Sequence, residues 1–150
     1  MPGTYSQLLL HVVFSTKHRQ PWITADVAQR LHPYMSGIIR AERGTPYETG
    51  GANDHTHLYF RWRPDGSVSD LIRTVKSRSS KWVHETFPAL HDFAWQEGYS
   101  VFSVSKSQEE AVKRYIAGQA EHHKAFDFKT ELLRLLKAHG IEFEERYVFD

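Results

Sequence analysis

Two histidines separated by a single residue are the first candidates for chemistry in this chain. His55 and His57 flank Thr56 in the segment DHTHLYF. In a β-strand, residues two positions apart project from the same face, and the strand rise places their Cα atoms about 7 Å apart. Two imidazoles at this spacing can reach one cation, which then needs a third ligand. Two surface histidines on a solvated sheet are the more common explanation of such a pair, so the pair alone is weak evidence for a metal site.

A second candidate set lies in the segment VKRYIAGQAEHH. Tyr115 and Gln119 are four residues apart and therefore share one face of a helix. A tyrosine hydroxyl has a pKa near 10, so it is a poor nucleophile unless its proton is taken or a metal polarises its target. The same spacing is also explained if Tyr115 lies at the edge of an amphipathic core and Gln119 is a surface amide. Gly118 between them either allows close approach of this helix to a sheet or is simply tolerated.

The segment HTHLYFRW alternates strictly, which predicts a strand with two different faces. The apolar face packs under helices and consists of Thr56, Leu58, Phe60 and Trp62. The polar face lines an open sheet surface and consists of His55, His57, Tyr59 and Arg61.

The remaining patterns predict the elements around this strand. An apolar strand over 7–15 precedes a helix over 24–43, in which Pro33 predicts a kink or a split. A helix begins at Ser67 or Ser69, and the strand YSVFSVS follows it. Ser107 and Glu110 match a capping box for a tyrosine helix over about 107–123, and a C-terminal helix and tail occupy 128–150, the tail forming a short strand or an arm. The order β-α-β-β-α-β-α-α predicts an α+β fold in a single domain over 1–150: a ferredoxin-like, split βαβ antiparallel sheet with helices on one face and the other face free.

Composition narrows the class of protein. The chain has 150 residues, 40% of them hydrophobic and 25% charged, with a net charge of +1 and no cysteine. Disulfides and thiolate metal sites are therefore excluded, and a nucleic-acid partner must be met by local basic patches. The start lacks the pattern of a signal peptide, no stretch predicts a membrane span, and no segment predicts a nucleotide-binding loop. A cytoplasmic location is expected.

Three segments, in order and at their spacing, resemble one known family. DHTHLYF, WQEGYSVFSVS and VKRYIAGQAEHH are similar to the IS200/IS605-family transposases, single-tyrosine members of the HUH (His-hydrophobic-His) nuclease superfamily that include REP-associated tyrosine transposases. The opening HVVFSTKHR resembles the first strand and basic loop of that family. The resemblance covers roughly residues 5–137. Thr56 departs from the family pattern, which has a bulky hydrophobic residue between the histidines.

The resemblance implies a reaction and its residues. His55 and His57 would be metal ligands, Gln119 would complete the site, and Tyr115 would be the nucleophile. The metal would be Mg²⁺ or Mn²⁺, although two histidines also suit other transition metals. The substrate would be single-stranded DNA with hairpin element ends, cleaved and rejoined through a 5′-phosphotyrosine in a prokaryotic cytoplasm. A homodimer with sheets joined edge to edge, along YSVFSVS, and a tyrosine helix shared between subunits is also implied.

Further residues are candidates for contacts with DNA or with the metal site. Lys17, Arg19, Arg73 and Lys76 could bind phosphates, although surface lysines and arginines are usually only solvated. The accessory candidates are His11, Asp54, His122 and His123. Asp54 either orients a histidine or caps its own backbone.

Two other functions remain open from the sequence. A non-catalytic single-stranded nucleic-acid-binding module with the same fold could stack bases on Tyr59 and Tyr99, although the chain lacks the basic-aromatic strand signature of RNA-recognition domains. A metal-dependent nuclease that uses water would leave Tyr115 with a structural role. A covalent protein–DNA adduct distinguishes the transposase from both.

Overall fold

A four-stranded antiparallel sheet with the strand order β2-β3-β1-β4 forms the centre of the molecule. The computed structural model describes residues 3–119 and 127–150. The elements in chain order are β1 (Leu8–Ser15), α1 (Ala25–Ala41), β2 (Thr45–Ala52), β3 (His55–Trp62), α2 (Val68–Thr86), β4 (Ser100–Ser103), α3 (Glu109–Ala117) and α4 (Phe128–Ala138). The predicted α+β, split βαβ sheet is confirmed, with β1 and β3 at its centre and β2 and β4 at its edges.

Side-chain caps explain where the long helices begin. Thr24 accepts a hydrogen bond from the backbone N–H of Val27 at the start of α1, and Ser67 caps α2 in the same way. Pro33 lies inside α1, yet the helix continues through it to Ala41, so the predicted split is absent. Proline removes one backbone hydrogen bond, and the buried apolar stripe of α1 compensates for that loss. In the described part of the chain, no helix combines the length and apolarity needed to cross a bilayer.

One face of the sheet packs against α1 and α2, as the alternation predicts. The strand residues in this core are Val12, Phe14, Leu58, Phe60 and Trp62, and the helix residues include Leu31, Met35, Ile39, Leu71, Ile72 and Val75. Every second residue of β1 and β3 contributes to it, because strand side chains alternate between faces. This layer fixes the register of β3 and hence the direction of its histidines.

The opposite face is covered, which contradicts the expectation of an open surface. In α3, Ile116 packs on Leu9 and Tyr59, and α4 places a second apolar cluster there. That cluster consists of Val13, Phe102, Phe128, Leu132 and Leu136. The histidine face fails to stay open because apolar residues of β1 and β4 alternate with the polar ones, and the stripes of α3 and α4 bury them.

The tyrosine helix begins later than the capping box predicts. A short 3₁₀ turn covers Lys106–Gln108, and the Ser105 hydroxyl, not that of Ser107, accepts a backbone N–H there. Helix α3 itself starts at Glu109 and has two acidic residues in its first turn, which suits the positive end of the helix dipole.

The C-terminal tail is an arm that lies against the body of the molecule and not a strand. It contains a 3₁₀ turn at Glu145–Tyr147. The backbone N–H of Gly98 donates to the carbonyl of Asp150 at 2.8 Å, and the Gln96 amide donates to the same oxygen at 3.0 Å. These bonds attach the end of the chain to the segment before β4.

Candidate metal and tyrosine site

The two histidines of β3 lie side by side beneath α3 and α4, and both are fully buried. Their ring centroids are 5.1 Å apart. His55 donates from Nδ1 to the Asp54 carboxylate at 2.8 Å, and Nδ1 of His57 lies 2.7 Å from Nε2 of His11. Because each Nδ1 has a partner of this kind, each Nε2 is directed into the space between the sheet and the helices.

Oxygen atoms face both Nε2 atoms. Oε1 of Gln119 lies 2.9 Å from Nε2 of His55. A carboxylate oxygen of Glu131 lies 3.4 Å from the same nitrogen and 3.2 Å from Nε2 of His57. The orientation of the Gln119 amide is fixed because its Nε2 donates to the other Glu131 oxygen at 3.1 Å and to the carbonyl of Tyr115 at 3.3 Å.

This donor set suits a divalent cation. With Asp54 accepting the proton of Nδ1, a neutral His55 has only a lone pair at Nε2, and that lone pair faces the lone pairs of the Gln119 oxygen. Such a contact is repulsive unless a proton or a metal lies between the atoms. Among the described residues, ligand atoms of His55, His57 and Glu131 lie within 4.8 Å of one another. Two imidazole nitrogens, an amide oxygen and a carboxylate oxygen fit Mn²⁺, Mg²⁺ or a later transition metal.

Glu131 was absent from the residues expected at the site. It lies on α4 and is only 2% exposed, in a helix whose buried residues are otherwise apolar. The sequence did carry a signal for it: Phe128, Leu132 and Leu136 form a helical stripe, and Glu131 falls inside that stripe. A buried carboxylate requires a partner, so a lone glutamate on an apolar helix face predicts a polar group opposite.

The hydroxyl of Tyr115 donates a hydrogen bond to the Glu131 carboxylate. Burial, followed by this bond, raises the pKa of Tyr115 above its ordinary value. Burial alone would raise the pKa of Glu131, but the hydrogen bonds and charges of His57, Tyr115 and His55 outweigh it, and the pKa lies well below its usual range. Both directions favour a hydrogen bond in which the phenol keeps its proton and the carboxylate accepts the bond.

His11 is part of the same cluster. It is 4% exposed, and its ring stacks on that of His57 with centroids 5.0 Å apart. Burial, followed by the charge of His57, lowers its pKa to about 3. A neutral His11 can offer a bare Nε2 to the Nδ1–H of His57, which leaves Nε2 of His57 available as a ligand.

The residues predicted to contact DNA are spread over the surface. Lys17 and Arg19 lie in an exposed turn after β1, in which His18 and Arg19 have φ of 56° and 55°. The Arg73 guanidinium forms an ion pair with Asp70 at 3.0 Å. The Lys76 ammonium already donates to the carbonyls of residues 96, 97 and 98, which gives it a structural role. His122 and His123 lie outside the described residues.

Comparisons with known proteins agree with this architecture. The family model described as "Transposase IS200 like" matches residues 4–119. The ISDra2 transposase TnpA of Deinococcus radiodurans is 24% identical over 123 residues, which cover 78% of this chain and 87% of the relative. An IS200 transposase of Salmonella typhimurium is 26% identical over 120 residues, covering 76% of this chain and 78% of the relative.

Two solved structures share the fold. A proposed transposase from Deinococcus radiodurans R1 has a TM-score of 0.67 at 22% identity and covers 79% of this chain and 95% of its own. A REP-associated tyrosine transposase bound to a REP hairpin has a TM-score of 0.60 at 14% identity, covering 82% and 73%. The matched segment contains the histidine pair, Tyr115 and Gln119, and the chain therefore belongs to the IS200-like transposase family, whose members are DNA-cleaving and strand-transferring enzymes.

Proposed function

We propose that this protein is a metal-dependent single-stranded DNA transposase that cleaves and rejoins element ends through a 5′-phosphotyrosine. The observation that carries this proposal is the hydrogen-bonded cluster in which the Tyr115 hydroxyl and both histidines meet one carboxylate. A tyrosine placed against a candidate metal site on a buried sheet face is more specific than a histidine pair alone.

In the proposed reaction Tyr115 is the nucleophile. Its Oη attacks the scissile phosphorus, the bond to the 3′ oxygen breaks, and the 5′ end stays attached as a phosphotyrosine. The 3′ oxygen leaves as a hydroxyl and takes up a proton, while the tyrosine gives one up. A later 3′-hydroxyl attacks the phosphotyrosine and regenerates Tyr115. The bond energy is conserved in the covalent intermediate, so the cycle needs no nucleotide cofactor.

The cation would be held by His55, His57 and Gln119, with Glu131 as an added carboxylate ligand. When bound, Mg²⁺ or Mn²⁺ supplies positive charge to an oxygen of the scissile phosphate. Asp54 and His11 keep the two Nε2 atoms directed at this position through the Nδ1 hydrogen bonds described above.

DNA is the proposed partner. The structural relative bound to a REP hairpin supports a folded single-stranded DNA end as substrate. Lys17 and Arg19, with Arg73 further along the surface, are the proposed phosphate contacts, because their side chains are exposed. Lys76 is a weaker candidate for a phosphate contact, since its ammonium already binds three carbonyls. A homodimer joined along the β4 edge, where Val101 is 36% exposed, stays part of the proposal.

The two rival functions account less well for the site. Tyr59 is fully buried beneath α3, so it cannot stack a base on an open sheet as a binding module would require. A nuclease that uses water needs no tyrosine bonded to the carboxylate of the ligand set.

The test is a search for covalent capture. Single-stranded DNA with a hairpin and an internal label is incubated with the protein and Mn²⁺ or Mg²⁺, and the label is followed on a denaturing gel. Tyr115→Phe is compared with Tyr5→Phe, which removes the hydroxyl of a tyrosine that is 94% exposed. His55→Ala tests the ligand set in the same assay.

We expect an adduct in the wild type and in Tyr5→Phe, and none in Tyr115→Phe or His55→Ala. Cleavage without adduct in wild type and Tyr115→Phe alike would replace the proposal with the water-using nuclease. Tight DNA binding with neither cleavage nor adduct across a set of hairpin ends would favour the binding module.

A further inference from the structure

Glu131 is the group on which the site converges, and it comes from a part of the chain that the family match does not include. The match ends at residue 119, whereas Glu131 lies on α4. One carboxylate oxygen lies 3.2 Å from Nε2 of His57, and the other accepts from the Tyr115 hydroxyl and, at 3.1 Å, from the Gln119 amide. The carboxylate thus joins the nucleophile directly to the candidate ligands.

Glu131 lies on a helix that is packed and capped. Phe128, Leu132 and Leu136 of the same helix are buried against Val13 and Phe102 of the sheet. The Asp127 side chain caps the helix by accepting from the backbone N–H of Thr130. Close packing favours one rotamer for a buried side chain, and this keeps the carboxylate close to the histidines of β3.

A tyrosine hydroxyl can attack phosphorus only when a lone pair faces it and its O–H points elsewhere. The hydrogen bond to Glu131 fixes the direction of the O–H, and the remaining lone pairs of Oη are then available to an incoming phosphate. Orientation of this kind is worth a large factor in rate, because a misplacement of about 1 Å costs on the order of 100-fold.

We propose that Glu131 is the positioning residue for Tyr115: α4 holds the nucleophile of its own chain against the histidine pair, with one carboxylate oxygen toward the ligand set and the other on the phenol. This inference rests on the proposed function, since it concerns the orientation of the same nucleophile. The inference adds Glu131 to the residues that the family resemblance implies, and it assigns α4 a role in orienting Tyr115.

The test combines a readout of the tyrosine with a readout of the reaction. Fluorotyrosine is incorporated at position 115, and fluorine NMR records its environment without DNA in the wild type, Glu131→Gln and Glu131→Asp. The exposed residue Glu142 provides the matched control, Glu142→Gln. Thermal melting reports folding. Adduct formation is then measured in single turnover at saturating DNA and Mn²⁺, and DNA affinity is measured separately.

We expect Glu131→Gln to shift the fluorine resonance and to slow adduct formation by about 100-fold while the affinity for DNA stays unchanged. Glu131→Asp, which keeps a carboxylate, should recover part of the rate, and Glu142→Gln should match the wild type in both readouts. A wild-type rate or a faster rate in a folded Glu131→Gln would overturn the inference, as would an unmoved resonance. Absence of adduct in the wild type itself would refute the proposed function together with this inference.

Discussion

Among substitutions outside the proposed reacting groups, we expect Gly50→Ala to cause the clearest loss of function. Gly50 lies on β2 and pairs with His57 of β3. A Cβ atom built at this position meets the carbonyl oxygen of Ile116 at 2.8 Å and its Cγ2 at 3.0 Å. The first contact is with helix backbone, which cannot rotate away, so α3 must move.

The expected magnitude follows from this contact. Overpacking of this kind typically destabilises a protein by about 1–3 kcal/mol. Ile116 is the neighbour of Tyr115, so a displacement of α3 also carries Tyr115 away from Glu131 and the histidines. A shift approaching 1 Å would slow adduct formation on the order of 100-fold. The histidines lie on β3, and the affinity for Mn²⁺ should change less than the rate.

The assay pairs urea unfolding with single-turnover adduct formation. Gly37→Ala is the matched control, because Gly37 lies inside α1 and a Cβ there meets no atom of the described residues within 4 Å. Alanine in a helix interior should raise stability by about 0.5–1 kcal/mol and leave the rate unchanged. Wild-type stability and rate in Gly50→Ala would show that α3 does not need the close approach and would refute the reasoning.

Three further predictions concern residues around the site. His11→Phe keeps a ring beside His57 but removes its acceptor, and calorimetric titration should show Mn²⁺ affinity reduced by about 10- to 100-fold; unchanged affinity would exclude an orienting role. Lys76→Met removes the cation that binds three carbonyls and should cost about 1.5–3 kcal/mol in urea melts, whereas Lys81→Met, 80% exposed, should cost little. Burial, followed by the charges of two site histidines, lowers the pKa of His32 to about 4, so the unfolded chain binds a proton that the folded one does not. Through His32 alone, wild-type stability should therefore fall below about pH 6.5 by up to about 1.4 kcal/mol per pH unit, in addition to the loss caused by the buried His11, and His32→Leu should remove the His32 part of the slope in melts compared at neutral and mildly acidic pH.

The strand periodicity was enough to predict which residues of β3 share a face. Leu58, Phe60 and Trp62 pack under α1 and α2, and the two histidines lie together on the other side. That result needs only the alternation of a pleated strand. Whether the histidine face of the sheet is exposed or covered could not be predicted in the same way. It depends on where α3 and α4 pack, and an amphipathic pattern does not indicate which surface a helix packs against.

The surroundings of the glycines and of Glu131 depend on tertiary contacts that sequence patterns do not predict. The sequence leaves two interpretations of Gly118, close approach between helix and sheet or simple tolerance, and tolerance fits better, since among the described residues a Cβ there meets Arg114 of its own helix, at 3.3 Å. The close approach belongs to Gly50 on the sheet side. The sequence pattern does not indicate Glu131 as a site residue, because its partners are distant in the chain; His55, for example, is 76 residues away. Helical periodicity places it on a buried stripe, but only the tertiary structure shows what it faces.

Two independent devices place Tyr115, and they come from different parts of the chain. Gly50 lets α3 approach β2 within the segment shared with the family, and this sets the position of the helix. Glu131 then sets the direction of the hydroxyl from α4, beyond that segment. β3, α3 and α4 belong to one chain, so the described residues bring the histidines, the glutamine, the tyrosine and the carboxylate together within a single chain. In the proposed reaction the nucleophile would therefore come from the same chain as the histidines, in contrast to the helix shared between subunits that the family resemblance implies.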